Sequence, residues 1–387
     1  MKDTILIVTP HGARENLENF PEFLLARNLA QDHQVHFVTS PDPLAKTYNI
    51  PNLTIHHFRH RACVSPELAR LAIHLRPHLK AVIANHLRSD FNWTLHTLKK
   101  LGLISAPILL APQGILHDDF LFDDRQNPLK ERPKIEAWIT HPLRALTSST
   151  KGSWRNYAWH APLFSADRVI CIAPHEQTFL IKHLPEIKTV LIPNGVPRVE
   201  IKTKMNRHSL TSIVFIGQLK RRKGYDVFLQ VAEKLLREPG LKIDFITVTP
   251  KIPTEHADLF AHLQKVPGFT LHRNISATTK EALFDAADVL IAPSRYEGFG
   301  LPIVEAWQRE VIVLASNVPA INEILTNDLN GLLIGDYENP GAWLTAWEKL
   351  KTMDLNRLRH EGLKRAQDFD VSHMTHAYRQ LMRELCQ

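Results

Sequence analysis

Two carboxylates, Glu297 and Glu305, stand eight residues apart in the most informative segment of the chain. An apolar run, Val289–Ala292, ends at Pro293. A short stretch with Glu297, Gly298 and Gly300 follows, and then Leu301-Pro302-Ile303-Val304-Glu305-Ala306-Trp307. Proline suits the first turn of a helix, so a strand, a loop and a helix starting near Pro302 are predicted. Glu297 then precedes the helix and Glu305 lies about one turn inside it. Both carboxylates can border one pocket while touching different parts of a ligand. Gly298 and Gly300 let the backbone come close to that ligand, and free amides at a helix start favour anionic or polyhydroxyl groups.

A second constellation supplies the opposite charge. Lys220-Arg221-Arg222-Lys223 follows a predicted strand, Ser212–Ile216, and ends at Gly224. Alone, such a run reads as a solvated turn. Placed directly after a buried strand, it can instead face a ligand and balance negative charge there. Asp118-Asp119 and Asp123-Asp124 are the rival acidic groups, since hard cations need clustered carboxylates. They fall in a long polar loop and read as solvated acids. None of the 22 histidines forms a convincingly supported His-x3-His or Cys/His ligand set. His117 follows Pro112-Gln113-Gly114 and is a weak candidate for a ligand contact.

Parallel sheets must position these groups. Short runs rich in Val and Ile alternate with longer segments of helical spacing. Predicted strands are Thr4–Val8, Val35–Thr39, Ala81–Asn85, Ile108–Ala111, Arg168–Ile172 and Val190–Ile192. A second series comprises Ser212–Ile216, Ile243–Val248, Thr270–His272, Val289–Ala292, Val311–Ala315 and Leu332–Ile334. Strands with little polar alternation, separated by helices, belong to sheets covered on both faces. Two series imply two doubly wound domains. A break is expected near Pro193–Asn206, giving domains 1–195 and 196–370, with a last helix over 371–387 returning to the first.

With 387 residues, 44% of them hydrophobic and 22% charged, the chain can bury two cores. No apolar run approaches the length of a membrane span, and Met1–Val8 reads as a buried strand rather than a leader. Cys63, Cys171 and Cys386 are too scattered for a zinc site or a disulfide framework, which fits a reducing cytoplasm. The formal charge of +7 is concentrated in the first half. Residues 55–100 hold eight Lys and Arg against Glu67 and Asp90. Residues 132–159 mix Arg132, Lys134, Lys151 and Arg155 with Trp138, Trp154 and Trp159, a composition suited to anionic lipid at the inner face of a cell membrane. Nucleic acid is not expected, because no binding module is present.

The segment around Glu297 resembles the family 4 retaining glycosyltransferases of GT-B fold. The likeness is to their Glu-x7-Glu element within a Pro-Ser-x-x-Glu-Gly-Phe-Gly-Leu-Pro string. It continues at Phe215-Ile216-Gly217, at Lys223-Gly224, at Ala286-Ala287-Asp288-Val289 and at Pro193-Asn194-Gly195. In the first half it rests on Ala111-Pro112-Gln113-Gly114-Ile115-Leu116 and on strand order. The resemblance implies two Rossmann-like domains with an interdomain cleft, an acceptor domain first and a nucleotide-sugar donor domain second. Glu297 would contact the transferred sugar and stabilise the reacting centre. Glu305 would hydrogen-bond the ribose, and the backbone of Phe299, Gly300 and Leu301 would hold the sugar and diphosphate. Lys223 would neutralise the diphosphate, with Arg222 and Gly217 beside it. His117 and Asn194 are weaker acceptor or sugar contacts. The pattern departs from the family at Gln218, in the Pro10–Phe20 loop, which lacks a Gly-Gly pair, and at Arg309-Glu310-Val311.

Together these features predict a metal-independent, cofactor-free hexosyltransferase. It would use a nucleotide-sugar donor and a glycan or glycolipid acceptor, in cell-surface polysaccharide or lipopolysaccharide assembly, as a cytoplasmic or peripheral membrane protein. A two-lobed nucleotide-sugar epimerase and a catalytically silent sugar-nucleotide-binding scaffold are the alternatives.

Overall fold

The computed structural model describes residues 3–12, 20–41, 48–59, 64–87, 89–113, 161–199, 209–249 and 251–386. The chain forms two compact units, Met1–Pro197 together with Val371–Gln387, and Arg198–Asp370. Each unit is built on a parallel sheet.

The first unit holds β1 (Thr4–Gly12), β2 (Gln34–Ser40), β3 (Leu53–His57), β4 (Leu79–Asn85), β5 (Ile108–Ala111), β6 (Arg168–Cys171) and β7 (Thr189–Leu191). Their order across the sheet is β3-β2-β1-β4-β5-β6-β7. β3 was not among the predicted strands. It lies at the edge of the sheet with one residue, Leu53, buried, so its sequence carries no continuous apolar run.

The helix Val371–Leu385 belongs to this first unit. Its buried face, Val371, Met374, Tyr378, Leu381 and Met382, shares a core with Phe23, Leu24 and Leu29 of the helix Pro21–Leu29. Gly195 lets the chain before it touch that helix closely, since a Cβ there would stand 2.6 Å from the Cα of Val371.

The second unit holds β8 (Ser212–Ile216), β9 (Lys242–Thr247), β10 (Phe269–Arg273), β11 (Val289–Ala292), β12 (Ile312–Ser316) and β13 (Leu332–Ile334). The order is β10-β9-β8-β11-β12-β13. All strand pairs in the sheet are parallel, which requires a crossover between consecutive strands. The helix Tyr225–Leu235 buries Tyr225, Phe228, Leu229, Val231, Ala232 and Leu235, the helical spacing that covers one sheet face. Phe215 of β8 meets Phe228 and Phe245 with ring centroids 4.7 and 4.4 Å apart. These rings fix β8 and the helix that follows the cationic run. Asp288 explains the Ala-Ala-Asp-Val sequence before β11. Its Oδ2 accepts from the backbone amides of Thr211 and Ser212 at 2.9 and 3.1 Å, pinning the start of β11 to the start of β8.

Candidate active site

The direction of winding reverses between β8 and β11. In open parallel sheets, ligands bind outside the carboxyl ends of the strands at such a switch point. The two segments singled out in the sequence leave the sheet there. Gln218–Gly224 follows β8, and Pro293–Gly300 follows β11.

Arg221–Lys223 forms a single 3-10 turn, closed by Gly224 at φ +65° and ψ 21°. A Cβ on Gly224 would fall 1.7 Å from the carbonyl oxygen of Pro293. Glycine is therefore required twice over, for its left-handed backbone and for the contact that brings the two segments together. Gly217, just after β8, donates its amide to the Ile246 carbonyl at 3.0 Å, and a Cβ there would stand 3.1 Å from the Phe215 ring and 3.4 Å from the Lys223 Cβ.

Arg295 locks the turn in place. Its guanidinium donates to both carboxylate oxygens of Asp226 at 2.7 and 2.9 Å, and to both of Glu338 at 2.6 Å. It also donates to the Arg221 carbonyl, and the Arg295 amide donates to the Arg222 carbonyl at 2.8 Å. Burial disfavours the charged guanidinium, but the two carboxylates outweigh it and raise the pKa above the ordinary arginine value. Sequence reasoning passed over Arg295 because it occupies a variable position of the family string. Asp226 and Glu338, its partners, lie 69 and 43 residues away.

Glu297 is buried at the centre of this arrangement, 9% exposed. Its Oε1 accepts from the Lys223 Nζ at 2.6 Å and from the Ser294 hydroxyl at 2.7 Å. Burial pushes its pKa up. The Lys223 ammonium, Arg222 and the Ser294 hydrogen bond together outweigh burial and hold the carboxyl below the ordinary glutamate range. The site thus keeps a buried carboxylate against a lysine, in surroundings that favour its charged form.

Gly300, at φ +99° and ψ 40°, starts the helix Leu301–Trp307. Leu301 is its first residue, and the Phe299 ring packs edge-on against Phe369 with centroids 5.3 Å apart. Glu305 projects from this helix to a second lysine. Lys280, in the helix Ala277–Ala286, donates to both oxygens of Glu305, at 2.8 and 3.0 Å. The departure at Arg309-Glu310-Val311 also has a structural reading. The Glu310 amide donates to Trp307 and the Val311 amide to Ala306, with Glu310 at φ +54°. That is the left-handed helix ending usually closed by glycine, made here with glutamate. Arg309 ties the same end to Asp285 at 3.3 Å.

Of the other predicted contacts, Asn194 lies in the first unit, where its amide donates to the Gln113 side chain at 2.9 Å. Gln113 takes φ +62°, and His86, just after β4, takes φ +58°. His117, the aspartate pairs 118–119 and 123–124, and the basic aromatic stretch 132–159 lie outside the described residues. So does most of the Pro10–Phe20 loop.

Residues 211–352 match the family model described as Glycosyl transferases group 1. The matched segment lies within the second unit. It spans the cationic turn, both glutamates and Lys280. Among curated relatives, an uncharacterized 41.2 kDa protein in the cps region of Klebsiella pneumoniae is 29% identical over 145 residues, 36% of this chain and 38% of that protein. The D-inositol 3-phosphate glycosyltransferase of Corynebacterium diphtheriae is 28% identical over 250 residues, 59% of this chain and 58% of the relative. The chain thus spans less than two thirds of the length of these relatives. The fold matches over the whole chain. Sucrose-phosphate synthase from Thermosynechococcus elongatus aligns with a TM-score of 0.73 at 18% identity, covering 99% of both chains. HepE of Anabaena, in complex with UDP-glucose, aligns with a TM-score of 0.70 at 15% identity, covering 99% of this chain and 100% of the other. These neighbours, like this chain, have two parallel-sheet α/β units, the GT-B fold. Among the described residues, no helix is long and apolar enough to cross a membrane.

Proposed function

We propose that the protein is a retaining, metal-independent glycosyltransferase that moves a sugar from a nucleotide-sugar donor onto a glycan or glycolipid acceptor. The observation that carries this reading is the ionised, buried Glu297 held 2.6 Å from Lys223 at the switch point of the second unit. Departure of a nucleoside diphosphate leaves positive charge on the sugar and negative charge on the phosphate. A fixed carboxylate beside a fixed ammonium complements both, and preorganised charge of this kind lowers the barrier. Lys223 and Arg222 take the diphosphate, Glu297 the reacting sugar and Glu305 the ribose. The complex of HepE with UDP-glucose supports a nucleotide sugar as donor. Cell-surface polysaccharide or lipopolysaccharide assembly is the setting we favour, with a relative in a cps region in support. A thermal-shift screen against UDP-, GDP- and ADP-sugars tests donor binding, because a ligand that binds the native state raises its melting temperature. Nucleoside diphosphate release that depends on an added acceptor then separates transfer from epimerisation and from silent binding.

Two expectations follow from these roles. Glu305→Ala removes a charged acceptor for ribose hydroxyls, worth about 1.5–3 kcal/mol, and weakens nucleoside diphosphate binding by about 10- to 100-fold. Glu297→Ala has a smaller effect on the same affinity. Titration calorimetry on both variants checks this, and equal, unchanged affinities would remove the assignment. Turnover survives EDTA, since cationic side chains rather than a divalent ion balance the diphosphate. Loss of activity with chelator and its return with Mg or Mn would contradict that.

We extend the proposal to peripheral contact with anionic membrane through residues 132–159, on the strength of their Arg, Lys and Trp content. Co-sedimentation with phosphatidylserine vesicles is expected to fall as salt rises. Failure to bind at low salt would favour a soluble acceptor.

A further inference from the structure

Resting on the ribose reading of Glu305, we propose that Lys280 is a positioning residue of the donor site, one that aims the Glu305 carboxylate at the ribose hydroxyls. Lys280 lies 25 residues before Glu305, on a different helix, and is no part of the motif that marks Glu305. Its ammonium donates to both carboxylate oxygens, at 2.8 and 3.0 Å, with the lysine side chain 18% and the glutamate side chain 16% exposed. Two contacts from one ammonium fix the plane of the carboxylate as well as its place. Each carboxylate oxygen has two lone pairs, so the pair leaves acceptor capacity on both oxygens for two neighbouring hydroxyls. A freely rotating glutamate would lose side-chain entropy on binding, and a preorganised one has already lost it.

The lysine is itself held. Its Nζ lies 6.0 Å from the centroid of the Phe284 ring, one turn along the same helix, and Phe284 is 1% exposed. A second ion pair, Arg309 to Asp285 at 3.3 Å, joins the same two segments one turn further on. A pair that merely stapled the segments would be served by either contact. Lys280 differs from Arg309 in meeting the functional carboxylate itself.

The test uses the full chain and whichever of UDP, GDP and ADP raises its melting temperature most, together with the matching nucleoside and the 2′,3′-dideoxynucleoside diphosphate. Lys280→Met is expected to weaken binding of the diphosphate and of the nucleoside by the same factor, about tenfold. Lys280→Arg restores most of that loss. The loss is absent against the dideoxy ligand, which has no hydroxyls to receive. Lys223→Met weakens the diphosphate and spares the nucleoside. Asp285→Asn breaks the other tie and leaves both affinities unchanged, whatever it does to the melting temperature. Should Lys280→Met fail to fold, Lys280→Gln takes its place.

Unchanged nucleoside affinity in Lys280→Met, while Glu305→Ala lowers it, overturns the role of Lys280 alone. An equal loss against the dideoxy ligand does the same, because the lysine would then be a structural staple. No loss in Glu305→Ala overturns the ribose reading of Glu305 and the role of Lys280 with it.

Discussion

Glu297→Gln is expected to reduce sugar transfer by about 10²- to 10³-fold, the range seen when one preorganised charge-stabilising group is removed. Nucleoside diphosphate affinity stays the same or rises. Glutamine keeps an oxygen for Lys223 and Ser294, at 2.6 and 2.7 Å in the native pair, but it carries no charge. The reacting sugar loses its counter-charge, while Lys223 is left with more of its own charge for the diphosphate. Steady-state kinetics and calorimetry on one preparation separate the two. A fall in kcat with intact nucleotide affinity is the expected pattern, and a parallel collapse of both would place Glu297 in ground-state binding instead.

The same substitution changes the acid limb of stability. The folded pKa of Glu297 is held below the ordinary value of 4.5. Its contribution is therefore full above that value and is lost as pH falls through the lower folded pKa. Melting temperature should decline less steeply in Glu297→Gln than in the native protein below the ordinary glutamate pKa.

Gly224→Ala is expected to destabilise the second unit by about 3 kcal/mol or more, from left-handed backbone strain added to overpacking. The new methyl group would meet the Pro293 carbonyl at 1.7 Å; that oxygen is backbone and a Cβ is fixed by its own backbone, so neither can rotate away. Gly240→Ala is the control within the same unit. Gly240 has φ +82° and nothing within 4 Å of its added Cβ, so it reports the backbone strain alone, about 1 kcal/mol. Urea unfolding of the two variants measures the difference. If both lose the same stability, the contact between the Gly224 turn and Pro293 is not what holds the two segments together. Where Gly224→Ala still folds, Lys223 should shift away from Glu297, and transfer should fall although every charged group is present.

The strands of the second unit were legible because each is a short, nearly continuous apolar run between turn residues. Predicted and observed limits agree within a residue for Ser212–Ile216, Val289–Ala292 and Leu332–Ile334. The edge strand Leu53–His57 was not, because one buried residue in five makes no apolar signal. The positions of Glu297 and Glu305 were readable from a local string whose spacing is set by one strand, one loop and one helix, and that of Lys223 from the cationic run after another strand. Their partners were not. Arg295 with Asp226 and Glu338, and Lys280 with Glu305, are joined across 69, 43 and 25 residues by crossovers of the parallel sheet. Nothing local marks such pairs, since any surface arginine or lysine looks the same in sequence. Gly224 shows both sides of the division. Its place after a cationic run is visible in the sequence, whereas the reason no other residue fits is a carbonyl 69 residues away, brought beside it when β8 and β11 pair.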